Sequence, residues 1–212
     1  VAKIIFPPRP KSRMLPSELP YYESTGEWVA QRKFRGSRCV IYINKDRSVT
    51  IGSRHGKQFS KFTLTEEMKE QILGSLHLES GKAYWLDGEL MNKDVEATNE
   101  VVLFDVLQAG RYLFGFPDQM RRLEILRDIC CAPTKLCRSG LALEVAPKLW
   151  MAQTFDHDFQ TRFKEAFDVD QLEGLVLRKK SASLDGFGDK EYETNNLIRC
   201  RKPFAQDKGY RF

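Results

Sequence analysis

No apolar run in the 212-residue chain approaches the roughly 18 residues that a membrane-crossing helix needs, which excludes a helical membrane span. The opening Val1-Ala2-Lys3-Ile4-Ile5-Phe6-Pro7-Pro8 is too short and too broken by proline to read as a secretory signal. Cysteine is scarce and odd in number: five, with no Cys-x-x-Cys pair, and with Cys130 and Cys131 adjacent and poorly placed to bond each other. That pattern excludes a disulfide framework. It fits a reducing intracellular setting, the cytoplasm, or the host cell cytoplasm for a viral chain. The three histidines (His55, His77 and His157) are scattered. A zinc site built from Cys130, Cys131, Cys137 and a distant histidine departs from the usual ligand spacings. There is no internal repeat and no strong excess of either charge. A net charge of +5 permits a nucleic-acid partner without requiring one.

With 42% apolar and 30% charged residues, the composition is that of an ordinary globular protein. Its length suits one domain, or one domain with a small appendage. Residues 1–27 carry five prolines between Pro7 and Pro20 and are expected to form an irregular arm. Residues 28–203 read as the folded domain, and 204–212 as a basic, aromatic tail. Strand patterns occur at Trp28–Phe34, Cys39–Ile43, Ser48–Ile51, Ala83–Met91, Glu100–Leu107, 141–149, Leu172–Lys179 and Leu197–Arg201. Helices are expected over 64–78, capped through Thr63-Leu64-Thr65-Glu66, from Pro117 to about Cys131, and over Phe155–Phe167. Ser181–Asn196 reads as an exposed loop. Strands dominate without regular βαβ alternation, so the predicted class is α+β, with mainly antiparallel sheets flanked by helices. Lys and Arg cluster at 32–38, 54–61, 121–127, 178–180 and 199–211. Solvated surface charge accounts for Arg121, Arg122 and Arg127 on a helix; the other clusters coincide with the segments that follow.

Five short segments stand in order: Lys33-Phe34-Arg35-Gly36-Ser37-Arg38, Asp87-Gly88-Glu89-Leu90, Val102-Leu103-Phe104-Asp105-Val106, Glu173-Gly174-Leu175-Val176-Leu177-Arg178 and Arg199-Cys200-Arg201-Lys202-Pro203. A lysine before a glycine turn is usually a solvent-facing charge. It becomes a nucleophile where cationic or desolvating neighbours lower its pKa, and Arg35 and Arg38 flank Lys33. Asp87 and Glu89 share one face of a strand among apolar neighbours, which is costly unless a cation or hydroxyl pairs with them. Together with Glu173 they supply carboxylates for Mg2+, which prefers few carboxylates plus phosphate oxygens and water. Phe104 lies in an apolar strand, so it either packs in the core or turns its ring to a nucleobase.

In this order and at these separations the segments resemble those of the covalent nucleotidyltransferase superfamily: ATP-dependent DNA ligases, RNA ligases and mRNA capping guanylyltransferases. Asp87-Gly88-Glu89-Leu90, Phe104-Asp105-Val106-Leu107 and Glu173-Gly174-Leu175-Val176-Leu177-Arg178 look most like the ligases, as does Ser53-Arg54-His55-Gly56-Lys57. The resemblance covers about residues 28–203. It implies an adenylation domain in which Lys33 forms a lysyl-AMP with ATP. Glu89 would then bind the ribose and Phe104 would stack on adenine, with Gln31 reading the adenine edge. Arg38 would hold a phosphate, and Arg199, Arg201 or Lys202 would contact the α-phosphate. Arg54 (with Arg38) would contact the nucleic acid, and Asp87 and Glu173 would serve the metal.

Two departures stand out. Arg35 occupies the place of the usual Asp after the lysine, and Arg199 and Arg201 stand where two lysines are common. The implied activity is sealing of 5′-phosphate/3′-hydroxyl breaks, DNA slightly before RNA, by a monomer. Capping with GTP, or a non-catalytic nucleic-acid-binding module, are the alternatives. Such ligases generally continue into a C-terminal oligonucleotide-binding barrel. None fits after Pro203, so a minimal phage-like enzyme or a fragment is expected. Its arm (Arg9, Lys11, Arg13) and tail (Lys208, Arg211) would help grip phosphates.

Overall fold

Two sheets are joined by short chain crossings, and one of these places the lysine. The computed structural model describes residues 6–92, 99–184 and 191–203. Its strands are β1 (Arg9–Met14), β2 (Trp28–Phe34), β3 (Ser37–Ile43), β4 (Val49–Ser53), β5 (Tyr84–Leu90), β6 (Val101–Ala109), β7 (Arg111–Tyr112), β8 (Leu143–Ala146), β9 (Leu149–Met151), β10 (Thr154–Phe155), β11 (Leu172–Lys179) and β12 (Glu193–Arg201). The α-helices are α1 (Leu19–Ser24), α2 (Glu66–Ser75), α3 (Gln119–Ile129) and α4 (Phe159–Glu165). The first sheet runs β1-β12-β11-β2-β10 and the second β4-β3-β5-β6-β9-β8, with β7 paired to β6. Pairing is antiparallel except at β1/β12 and β6/β9. The class is α+β.

Strand alternation sorts the first sheet into two unlike faces. Trp28 and Ala30 of β2, Leu175 and Leu177 of β11, Ile198 and Cys200 of β12 and Met14 of β1 pack with Leu19 of α1 and with Phe159 and Phe163 of α4. The alternate residues, Gln31 and Lys33, Val176 and Arg178, Arg199 and Arg201, turn the other way and line a cleft. A larger apolar cluster lies under the second sheet against α2 and α3. A smaller one joins Phe34 and Leu172 of the first sheet to Val102 and Trp150 of the second.

The chain passes from the first sheet to the second between β2 and β3, through Arg35 and Gly36. A Cβ at Gly36 would sit 2.3 Å from the Leu90 carbonyl oxygen and 2.8 Å from Cγ of Glu89. Only glycine allows the strands to approach this closely, and Lys33 and Arg38 are thereby held on either side of the crossing.

Several expectations need correction. The arm is not irregular over its described part: β1 joins the sheet edge and a 3-10 turn leads into α1. Pro16 and Pro20 fall in first turns, where no N–H is required, so they permit helix rather than prevent it. The α2 cap is Thr65, whose hydroxyl accepts from the Met68 N–H, two residues after the expected Thr63. Asp118, not Pro117, starts α3 by accepting from the Arg121 N–H. Arg122 is not a surface charge; it is 2% exposed. The expected loop 181–196 is shortened by β12, which begins at Glu193, and its residues 185–190 lie outside the described residues, as does the tail 204–212 with Lys208 and Arg211.

Candidate active site

Between the cleft-facing side of the first sheet and the edge of the second lies a cavity of about 440 Å³ lined by eight arginines and lysines and two carboxylates, Glu89 and Glu173. Lys33 stands near the end of β2, its side chain 19% exposed, with its Nζ against Oε2 of Glu173. Arg201 reaches the same oxygen at 3.2 Å. Gly174 lies between Lys33 and Arg201 in strand register. With no side chain there, both cations can converge on Glu173. Burial holds the Lys33 amine below its ordinary value of 10.5, against Glu173 and Glu89, which favour the ammonium; Arg201 adds to the lowering. A partly desolvated lysine of lowered pKa is what a nitrogen nucleophile requires.

Opposite Lys33, Arg38 is the second residue of β3. Its Nε and Nη2 donate to the two carboxylate oxygens of Asp87, Nε at 3.0 Å, and its Nη1 donates to the Pro8 carbonyl at 2.7 Å. Of five guanidinium N–H groups these bonds use three. Asp87 is 1% exposed and absent from the cavity lining. Burial pushes its carboxyl upward, with Arg38 pulling the other way. Asp87 therefore pairs with Arg38 and is not brought to the cleft as a metal ligand: a carboxylate sunk this deep takes the nearest guanidinium. Glu89, on the same face, does line the cleft, and its Oε1 accepts from the Gly36 N–H at 3.0 Å.

Phe104 is partly buried at the boundary between core and cleft. Its ring packs against the cluster joining the sheets, and it also lines the cleft, with the guanidinium carbons of Arg38 and Arg178 5.5 and 5.1 Å from its centroid. Gln31 is 2% exposed at the cleft floor. Its Oε1 accepts from Arg178 Nε at 2.6 Å and its Nε2 donates to Thr154 Oγ1 at 3.1 Å, so its amide orientation is fixed.

Arg54 and Arg199 also line the cleft, and Arg199 donates to the Pro10 carbonyl at 3.2 Å. Lys202 does not: its ammonium is buried and donates to the carbonyls of Ala166, Phe167 and Val169 just beyond α4, at 2.9, 3.2 and 2.8 Å. It satisfies carbonyls of the turn that follows α4 and does not reach the cleft. Arg35 is absent from the lining. Among the described residues no group of three or more His, Cys, Asp or Glu side chains is placed to hold a metal ion.

Sequence reasoning gave no role to Arg178, yet it is central. Arg178 Nη1 donates to Asp105 at 3.1 Å, Arg122 Nε donates to the other oxygen of Asp105 at 3.1 Å, and Gln119 donates to the carboxylate as well. A charged residue ending the apolar run Leu175-Val176-Leu177 was the available signal. At the cleft mouth, Arg9 donates to Glu191 at 2.8 Å, and His55 contacts the same carboxylate.

No family model matches the sequence, and no curated protein matches it. Solved structures do. The ligase domain of M. tuberculosis LigD superposes with a TM-score of 0.64 at 14% identity, over 93% of this chain and 59% of that one. The ATP-dependent DNA ligase from bacteriophage T7, in complex with ATP, gives 0.56 at 12% identity over 95% and 69%. A Lig E DNA ligase described as binding DNA with a minimal scaffold gives 0.51 at 10% identity over 92% and 69%. The chain has the fold of the adenylation domains of ATP-dependent DNA ligases, and it spans about 59% of the length of the LigD ligase domain.

Proposed function

We propose that this chain catalyses nucleotidyl transfer through Lys33 and serves the sealing of 5′-phosphate/3′-hydroxyl breaks in nucleic acid with ATP. The observation that carries this reading is the part-buried Lys33 amine in contact with Glu173, in a cationic cleft beside Phe104, its pKa lowered by that burial. The shared fold with ligases supports it. In the first step the free amine of Lys33 attacks the α-phosphorus of ATP. The bond to the bridging oxygen breaks, and pyrophosphate leaves with its electron pair. The proton released by the amine passes to solvent, so Glu173 beside it stays anionic. Arg201 and the remaining N–H groups of Arg38 and Arg199 face the charge that develops on the phosphate oxygens. Phe104 stacks on the adenine, Gln31 meets its edge and Glu89 binds the ribose. AMP then passes from Lys33 to a 5′-phosphate, and a 3′-hydroxyl displaces it.

Mg2+ fits this cleft through Glu173 and Glu89, the two carboxylates on its lining, with phosphate oxygens and water completing the set. Asp87 is absent from that lining and pairs with Arg38 instead. A bound Mg2+ supplies charge neutralisation for the phosphates.

The test is covalent labelling. With Mg2+ and α-labelled ATP the protein should carry a label that survives denaturation, and Lys33→Ala should carry none. Nicked DNA and nicked RNA duplexes supplied to the labelled protein then report sealing. Absence of label in folded protein overturns the reading, and label from GTP alone moves it to capping.

A further inference from the structure

The cationic character of the first sheet does not stop at the cleft. Register places Gln31 of β2, Val176 of β11, Arg199 of β12 and Arg13 of β1 in one lateral row across four strands. The row beside it holds Lys33, Gly174 and Arg201. Met14 packs into the helix-side cluster, so Arg13 projects from the opposite face, the face of the cleft. At about 4.8 Å per strand, the four strands span about 14 Å from β2 to the sheet edge, with Lys33 and Arg201 in one row and Arg199 and Arg13 in the other carrying the positive charge. Arg9, earlier on β1, already lines the cleft.

The cations of this row repel one another. Burial, then the charges of Arg13, Arg201 and Arg9, hold the Arg199 guanidinium below its ordinary value, with Glu193 opposing. Its buried Nε has no hydrogen-bond partner among the described residues. Like charges kept together at a folding cost, with a donor unmet, fit an anionic ligand. Glu191 bridges Arg9 and His55 at the rim.

We infer that Arg13, with Arg199 and Arg9, forms a track on the β1–β12 edge that binds the sugar-phosphate backbone of the nucleic-acid strand leading to Lys33. The inference rests on the proposed function for its direction, toward Lys33, but the track's existence is tested without it. Fluorescence anisotropy of labelled nicked DNA and nicked RNA duplexes, titrated between 50 and 200 mM salt, reads both affinity and its salt dependence. Arg13→Ala should weaken binding by about fivefold at low salt and lower the slope of log K against log salt by about 0.9. Arg13→Glu should weaken it further and remain folded, since the new carboxylate faces Arg199. Arg121→Ala, a loss of equal charge at an exposed site of α3, is the control and should leave the slope unchanged. An Arg13→Ala curve that matches wild type, or Arg121→Ala, overturns the track. So does an effect on inorganic tripolyphosphate without one on the duplexes, which would assign Arg13 to the nucleotide tail. Labelling by ATP alone, on the same preparations, separates the two claims. Protein that labels but binds without regard to Arg13 loses only the track, while protein that never labels but loses duplex binding with Arg13→Ala loses only the ligase reading.

Discussion

At the scale of single residues, the chemistry turns on the protonation of Lys33. Burial lowers its pKa from 10.5 and Glu173 works against that lowering. The free amine is therefore populated at lower pH than in an exposed lysine, and more so once the carboxylate is gone. Acetylation of Lys33 by acetic anhydride, with acetate as the leaving group, followed by peptide mass spectrometry, should show a pH midpoint below 10.5. Glu173→Gln should raise the rate at pH 8 several-fold. A midpoint at or above the ordinary value would contradict the account. Lys33, Glu89 and Phe104 were legible in the sequence because each sits in a short segment whose neighbours explain it. Asp87 and Lys202 were not, because their partners, Arg38 and the carbonyls beyond α4, are distant in the chain. Burial forces those pairings, and sequence pattern does not display them.

At the scale of elements, the site depends on how closely β11 approaches its neighbours. Gly174 has φ +128°, and a Cβ there would lie 2.1 Å from the Cys200 carbonyl oxygen of β12. Gly174→Ala should cost at least about 2 kcal/mol and separate Lys33 from Arg201. Gly74→Ala, in α2 with nothing within 4 Å of the added carbon, should instead stabilise by about 0.5 kcal/mol. Thermal unfolding of the two variants reads both, and equal melting temperatures would contradict the packing described. The limits of β2 and β11 were legible to the residue, since Trp28-Val29-Ala30 opens β2 and Gly36 stops it, while β11 is built round Leu175-Val176-Leu177. The strand and helix of the arm were not. Proline content argues against regular structure, and only the structure shows β1 at an edge and Pro16 and Pro20 in first turns.

For the whole molecule, one buried network ties the two sheets together. Asp105 of β6 holds Arg122 of α3 and Arg178 of β11, and Arg178 holds Gln31 of β2. Burial would raise the Asp105 carboxyl, but Arg122 and Arg178 prevail and hold it below 3.8. Its contribution is thus complete above the unfolded-state value and disappears as pH falls through the folded-state value. Asp105→Asn should lose about 3–5 kcal/mol at neutral pH by stranding two buried guanidinium groups. In urea unfolding the gap to wild type should narrow below about pH 4; a gap constant with pH would contradict the network. The α+β class and its antiparallel character were legible, but the joining of the sheets was not, because Arg122 reads as a surface charge on an amphipathic helix. The central claim remains that Lys33 is a nucleotidyl acceptor. Incubation with Mg2+ and ATP or GTP, then intact-mass measurement and peptide mapping, tests it most directly. The account predicts one AMP on Lys33 from ATP, absent in Lys33→Ala; folded protein that gains no nucleotide from either would contradict it.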